Sequence, residues 1–219
     1  MNCRPVRVHK MDPKARAFTL VEMLVVIAII GILASLIIGL AGVVNKKKVL
    51  TRVTGERQAL ETAIESYKEK LGSYPPDNTN NCAQNQLFYE LTGMLLVTPP
   101  NGAPYFATLT GDKRIPQSQV AGFFTAGGFA NAALEGSPEN AHNFLKGVQL
   151  KTKEISANPG VHVLVAPVEG PNMRPDSSGN KTVNAWRYVS STPTNNPGKY
   201  DLWTEIKVGG KLVIIGNWR

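Results

Sequence analysis

Cysteine is scarce in this 219-residue chain: there are two, Cys3 and Cys82. Cys3 lies in a short basic N-terminal segment, so a chain cut after that segment keeps a lone Cys82 and has no internal disulfide. Histidine is equally sparse, with His9, His142 and His162 far apart, and no second cysteine stands near Cys82. Zinc-ligand spacing is therefore absent. The glycine pair Gly127-Gly128 is not followed by Gly-Lys-Ser/Thr, which removes a phosphate loop. His142 and Glu139 have the spacing of a helical pair and read as a solvated helix face. With no nucleophile–base pair, metal spacing or cofactor loop, an enzyme anchored to a membrane is a weak reading.

What is present is uneven charge. The formal net charge is +8 with a pI near 9.5. Residues 1–17 hold five basic residues (Arg4, Arg7, Lys10, Lys14, Arg16) against Asp12, a balance of +4. The rest of the chain keeps +4 and shows no basic–aromatic stripe, which argues against a nucleic-acid partner.

From Met23 to Val44 every residue is apolar or small, and Ser35 carries the only hydroxyl. As a helix this run is about 33 Å long at ~1.5 Å per residue, enough to cross a hydrocarbon core of about 30 Å. A signal-peptide core is shorter and ends in a cleavage site of small residues. Here Lys46-Lys47-Lys48 follow, and the run reads as a retained span. Lysine and arginine are equally numerous at its two ends, so charge does not orient it. Gly31, Ser35 and Gly39 place small side chains on one helix face. That stripe permits close helix approach, and it is equally the ordinary small-residue content of spans.

Just before the run stands Glu22, in Ala17-Phe18-Thr19-Leu20-Val21-Glu22-Met23. An acid at the head of an apolar helix either reaches the interface or has a cationic partner. The basic leader followed by Phe-Thr-Leu-Val-Glu and an apolar helix resembles the type III signal of type IV prepilins and type II secretion pseudopilins. The resemblance implies cleavage between Ala17 and Phe18 by a prepilin peptidase, and N-methylation of Phe18. It also implies a role for Glu22 in facing the Phe18 amine of a neighbouring subunit. A buried carboxylate needs such a counter-charge. Ala17 is a departure, since the family usually has glycine there.

Beyond the lysines, Val49, Val53, Leu60, Ile64, Tyr67 and Leu71 recur at helical spacing. One helix is expected from about Phe18 to Leu71, closed by Gly72-Ser73-Tyr74-Pro75-Pro76. Asp77–Gln86 reads as a polar loop, Leu87–Leu96 as a short helix and Glu139–Leu150 as a further helix. Residues 103–150 are otherwise poorly patterned. Strands are expected at Val161–Val165, Trp186–Ser190, Tyr200–Val208 and Lys211–Ile215, with Gly209-Gly210 turning a hairpin. The fold class is α+β: a long N-terminal helix, its first half transmembrane, on a small C-terminal antiparallel sheet. The domains are a leader (1–17), a transmembrane and assembly helix (18–44), its amphipathic continuation (45–71) and an exported head (72–219).

A second resemblance lies at Leu87-Phe88-Tyr89-Glu90-Leu91-Thr92-Gly93, Asn196-Pro197-Gly198-Lys199-Tyr200-Asp201-Leu202-Trp203 and Ile215-Gly216-Asn217-Trp218. These stretches look like the major pseudopilin of type II secretion. The similarity implies a structural subunit of a pseudopilus-like filament, held in the inner membrane with a periplasmic head. Copies of itself, minor pseudopilins, the peptidase and an inner-membrane assembly platform are the implied partners. A type IV pilus pilin with an adhesion or DNA-uptake role is the alternative. In that family an acidic loop before the final Gly-Asn-Trp binds calcium. Here Asp201 and Glu205 are opposed by Lys207 and Lys211, and Ile214 stands where an aspartate is expected, so the calcium site is expected to be lost and no cofactor retained.

Overall fold

The computed structural model describes residues 18–155 and 160–218, and for 36–43 the backbone alone. The chain divides into two compact units, Met1–Asn45 and Lys46–Arg219. Helix α1, Leu20–Leu71, supplies the first unit and opens the second. In the first unit its described side chains are exposed, among them Leu20 (81%), Ile27 and Ile32. Among the described residues, no helix is long and apolar enough to cross a membrane. The apolar run of the sequence includes residues 36–43, whose side chains fall outside that description. The membrane-spanning reading of this half therefore rests on the sequence.

In the second unit α1 becomes amphipathic in fact. Val53, Leu60, Ala63, Ile64 and Tyr67 are buried at steps of three, four and seven, the spacing of one helix face. The helix stops where the periodicity does. Gly72 takes φ +82° and its N–H bonds the Lys68 carbonyl at 2.8 Å, a left-handed cap that a side chain would strain.

The polar stretch after it is a loop, but a buried one. Asp77, Asn78, Gln84, Asn85 and Gln86 are all buried. Burial is tolerated because the amides serve backbone carbonyls. Asn78 Nδ2 donates to Gln84 O and Phe123 O, at 2.8 and 2.9 Å, and Asn85 Nδ2 donates to Trp186 O at 2.8 Å.

Helix α2 spans only Leu87–Thr92, and strand β1, Met94–Val97, follows. The expected helix to Leu96 is thus cut short at Gly93, which takes φ +77°. A Cβ there would meet Leu109 and the His142 carbonyl within 2.8 Å. β1 pairs antiparallel with β2 (Tyr105–Thr108) and parallel with β4 (Ala132–Leu134), while β2 also pairs with β3 (Arg114–Pro116). Helix α3, Gln117–Phe124, lies between β3 and β4 in the chain. This mixed sheet was not expected.

The helix expected over 139–150 is also corrected: only a 3-10 turn, Pro138–Asn140, forms. The backbone beyond it is drawn elsewhere, His142 N to Asn131 Oδ1 and Phe144 N to Leu91 O. β5 (Lys151–Glu154) pairs with β6 (His162–Val165), and β7 (Arg174–Pro175) with β8 (Lys181–Val183).

The last sheet is antiparallel in the order β11-β10-β9, with β9 at Arg187–Val189, β10 at Asp201–Val208 and β11 at Lys211–Gly216. The four strands anticipated late in the sequence, including β6, appear within one residue of the expected bounds. Val208 faces Lys211 across Gly209 and Gly210, whose φ values are +58° and +80°. A two-residue turn with both φ positive matches the twist of a hairpin. The fold is α+β, with the face of α1 from Val53 to Tyr67 in one core with Leu87, Trp186, Leu202 and Ile206.

Candidate functional site at the N-terminal junction

The residues singled out before the apolar run fall together at the first turn of α1. Thr19 N donates to Glu22 Oε2 at 2.8 Å and Thr19 Oγ1 donates to the same oxygen at 2.9 Å. Glu22 N in turn donates to Thr19 Oγ1 at 3.2 Å. This is a capping box, in which a threonine and the glutamate three residues on satisfy each other's free N–H groups. Sequence reasoning gave Glu22 the interface or a cationic partner on a neighbouring subunit and missed this local one. The Thr-x-x-Glu spacing just before an apolar run was the signal.

The box has a consequence for position. Glu22 does not extend freely from the helix; its carboxylate is folded back over the residue that follows Phe18. Phe18 is exposed (73%). Ala17 lies outside the described residues. The cleavage and methylation assignments to Ala17 and Phe18 thus keep their basis in the sequence.

Farther along, Gly31 and Ser35 are exposed and one turn apart. No atom comes within 4 Å of a Cβ placed on Gly31. Ser35 Oγ donates to the Ile32 carbonyl at 2.7 Å, so its hydroxyl is satisfied within its own helix. Gly39 is helical, and of its surroundings nothing is described. Around Gly31 and Ser35 stand Ile27, Ile30, Ile32 and Leu33, each more than half exposed. Apolar surface on this scale marks contact with a membrane or another protein.

The tail motif proves to be architectural. Asn217 Oδ1 accepts from Leu202 N at 2.9 Å, Asn217 Nδ2 donates to Tyr200 O at 3.0 Å, and Asn217 N donates to Leu202 O. Trp203 and Trp218 meet edge to face at 5.6 Å. A Cβ at Gly216 would lie 2.9 Å from the Trp218 ring, which accounts for glycine before Asn-Trp. Arg57 of α1 donates to the Gly216 carbonyl and fastens β11 to the helix.

Asp201 is buried, and its two oxygens accept from Thr194 N, Asn195 N, Asn195 Nδ2 and Asn196 N at 2.8–3.1 Å. Glu205 accepts from Asn172 Nδ2 at 3.1 Å and lies 3.7 Å from Arg187. Each carboxylate is engaged within the fold. Among the described residues no group of three or more histidine, cysteine or acidic side chains is placed to hold a metal ion.

Comparison with known proteins gives two matches. Residues 12–38 match the family model described as the prokaryotic N-terminal methylation motif. Over 67 residues the chain is 45% identical to the type II secretion system core protein G of Escherichia coli strain K12. That match covers 30% of this chain and 45% of the relative, so the chain spans under half the length of that protein. No solved structure matches. The motif and the relative point the same way, to a likeness with type IV prepilin-like and pseudopilin proteins.

Proposed function

We propose that this chain is a structural subunit, not an enzyme, of a type II secretion pseudopilus-like filament. In this reading a prepilin peptidase cuts between Ala17 and Phe18 and the new amine of Phe18 is methylated. The helix over 18–44 holds the subunit in the inner membrane with the head on the periplasmic side. Assembly then proceeds through that helix, with minor pseudopilins and an inner-membrane platform as partners and without nucleic acid. Glu22 supplies the counter-charge for the Phe18 amine of the next copy, and Gly31, Ser35 and Gly39 let helices approach closely.

The observation that carries the reading is the junction itself: a methylation motif over 12–38 running into a capped helix whose apolar side chains are exposed. Cleavage before Phe18 would leave Thr19 and Glu22 one and four residues from the new N-terminus, within reach of a neighbour. The resemblance of the tail to major pseudopilins favours secretion over a pilus. The proposal includes loss of the family calcium site, because Asp201 and Glu205 already have partners.

The deciding measurement is the intact mass of the protein extracted from membranes. A chain beginning at Phe18 and carrying one methyl group is expected. A chain that begins at Met1, or one released to the medium by a cut after the apolar run, overturns the proposal.

A further inference from the structure

The second unit opens on three exposed lysines, Lys46, Lys47 and Lys48. The β10–β11 hairpin brings two more to the same place. Lys207 and Lys211 flank the Gly209-Gly210 turn and are exposed, and the turn sits on the Lys46 side chain: a Cβ at Gly209 would strike Lys46 Cε. Among the described residues none of these five lysines has a carboxylate within ion-pair distance. On α1 and β10 themselves, Glu56 pairs with Arg52 and Glu205 with Arg187.

The hairpin also carries apolar side chains outward. Leu212 stands directly across from Lys207, and Ile214 across from Glu205. They are 58% and 55% exposed, on the face opposite the buried Thr204 and Ile206. Free cations beside exposed aliphatic side chains are what an anionic membrane surface attracts.

We propose that Lys46–Lys48 and the tip of the β10–β11 hairpin form one contact surface for anionic phospholipid headgroups, lysine to phosphate, with Leu212 entering the headgroup boundary. This rests on the reading that residues 23–44 are held in a membrane. Lys46 is two residues beyond Val44, about 3 Å of helix at ~1.5 Å per residue. The lysines therefore begin where the apolar run ends in the chain, and the Lys46–Gly209 contact keeps the hairpin tip beside them. A second copy of the chain fits less well: Glu56 and Glu205 already have partners, which leaves the exposed Glu169, whose carbonyl accepts from Lys207 N, against five lysines. The consequence is a fixed stance of the head on the bilayer before assembly, released when the subunit leaves the membrane.

The test uses the full chain with Cys3→Ser and Cys82→Ser, and Leu212→Cys bearing an environment-sensitive fluorophore. It is reconstituted into vesicles of phosphatidylcholine alone or mixed with phosphatidylglycerol. The expected result is blue-shifted emission, and several-fold protection from iodide quenching, in the mixed vesicles only. Raised salt abolishes both, because exposed charges are screened. Substituting Lys46, Lys47, Lys48, Lys207 and Lys211 with glutamine also abolishes both while leaving intrinsic tryptophan fluorescence unchanged. Equal emission in the two vesicles overturns the proposal, as does a response that survives the five substitutions. A response that grows with protein density in neutral vesicles assigns the surface to a second copy instead, and equally overturns it. Flotation after a carbonate wash separates the two levels. A chain that stays with both vesicles but shows no anionic response sinks the lipid contact alone, whereas a chain washed off neutral vesicles sinks the membrane reading and the contact with it.

Discussion

Tyr67 of α1 donates its hydroxyl to the Glu90 carboxylate of α2 at 2.9 Å, and both residues are fully buried. Ala130 N and Asn131 N donate to the same carboxylate at 2.9 Å each. Asn131 in turn bonds Glu90 O and the main chain of His142. One buried acid thus ties the long helix, the short helix and the mixed sheet together.

Burial pushes the Glu90 carboxyl above the ordinary glutamate value of 4.5, while its backbone donors and Tyr67 oppose the shift. A carboxyl with a raised pKa in the fold adds stability that is full below that ordinary value. The contribution is lost as pH rises through the raised one. Tyr67→Phe removes a donor that favours the charged form, so it raises the value further. The expected cost is about 1.5–3 kcal/mol at a pH above the raised value, the range for a hydrogen bond to a charged group, and it is smaller at pH 4.5, below that value. Denaturant titrations of the full chain in detergent at the two pH values check this. A penalty that is equal or larger in acid contradicts it.

Two glycines are expected to respond with opposite signs. A Cβ on Gly170 would collide with the Glu205 carbonyl and sit 2.8 Å from the Asn184 amide. Asn184 is itself buried and bonded to the carbonyls of Val168 and Glu205. Gly170→Ala should therefore destabilise the head by about 1–3 kcal/mol, as overpacking does. Gly122 lies inside α3, exposed, with nothing within 4 Å of its Cβ position. Gly122→Ala should stabilise by roughly 0.5–1 kcal/mol through helix propensity. Thermal melts of the two variants in parallel decide both.

Where the chain is regular, the fold was legible in its pattern. The apolar spacing of Val53, Leu60, Ile64 and Tyr67 fixed both the helix and its buried face, and Gly72 fixed its end. The β-rich runs between Pro/Gly/Asn loops located β6, β9, β10 and β11. Residues 94–150 were not legible, because short strands such as Met94–Val97, Arg114–Pro116 and Ala132–Leu134 are poor in the β-branched and aromatic residues that mark strands. Their backbone is settled by distant side chains instead: Asn131 holds His142, and Asn78 holds Phe123. The buried polar loop was hidden for the same reason, since amides that satisfy remote carbonyls look like solvated residues in a sequence. At the junction Glu22 was singled out and its local partner Thr19 was not.

Asp201 offers a check on the proposed loss of calcium. Its carboxylate takes four hydrogen bonds from residues 194–196, so a cation there would have to displace donors that the loop depends on. Millimolar calcium or a chelator is expected to leave the melting temperature unchanged. Asp201→Asn, which turns one acceptor into a donor facing N–H groups, should cost about 1–3 kcal/mol. A calcium-dependent rise in melting temperature that vanishes in Asp201→Asn would mean that the site persists.

Glu22 has two tasks in this account, and one pair of substitutions separates them. Within its own chain it closes the capping box with Thr19. Between chains it is proposed to meet the Phe18 amine. Glu22→Gln keeps a capping-box acceptor but removes the charge, because glutamine serves at that position. Glu22→Val removes both, at a cost to the helix start of about 0.5–2 kcal/mol. Cleavage before Phe18 should continue in both variants, giving mature protein of the expected mass in membranes. Filaments sheared from cells should be lost in both, since neither side chain balances a cationic amine in an apolar core. Filaments at parental levels from Glu22→Gln, with loss only in Glu22→Val, would reduce Glu22 to a helix cap and remove its assembly role.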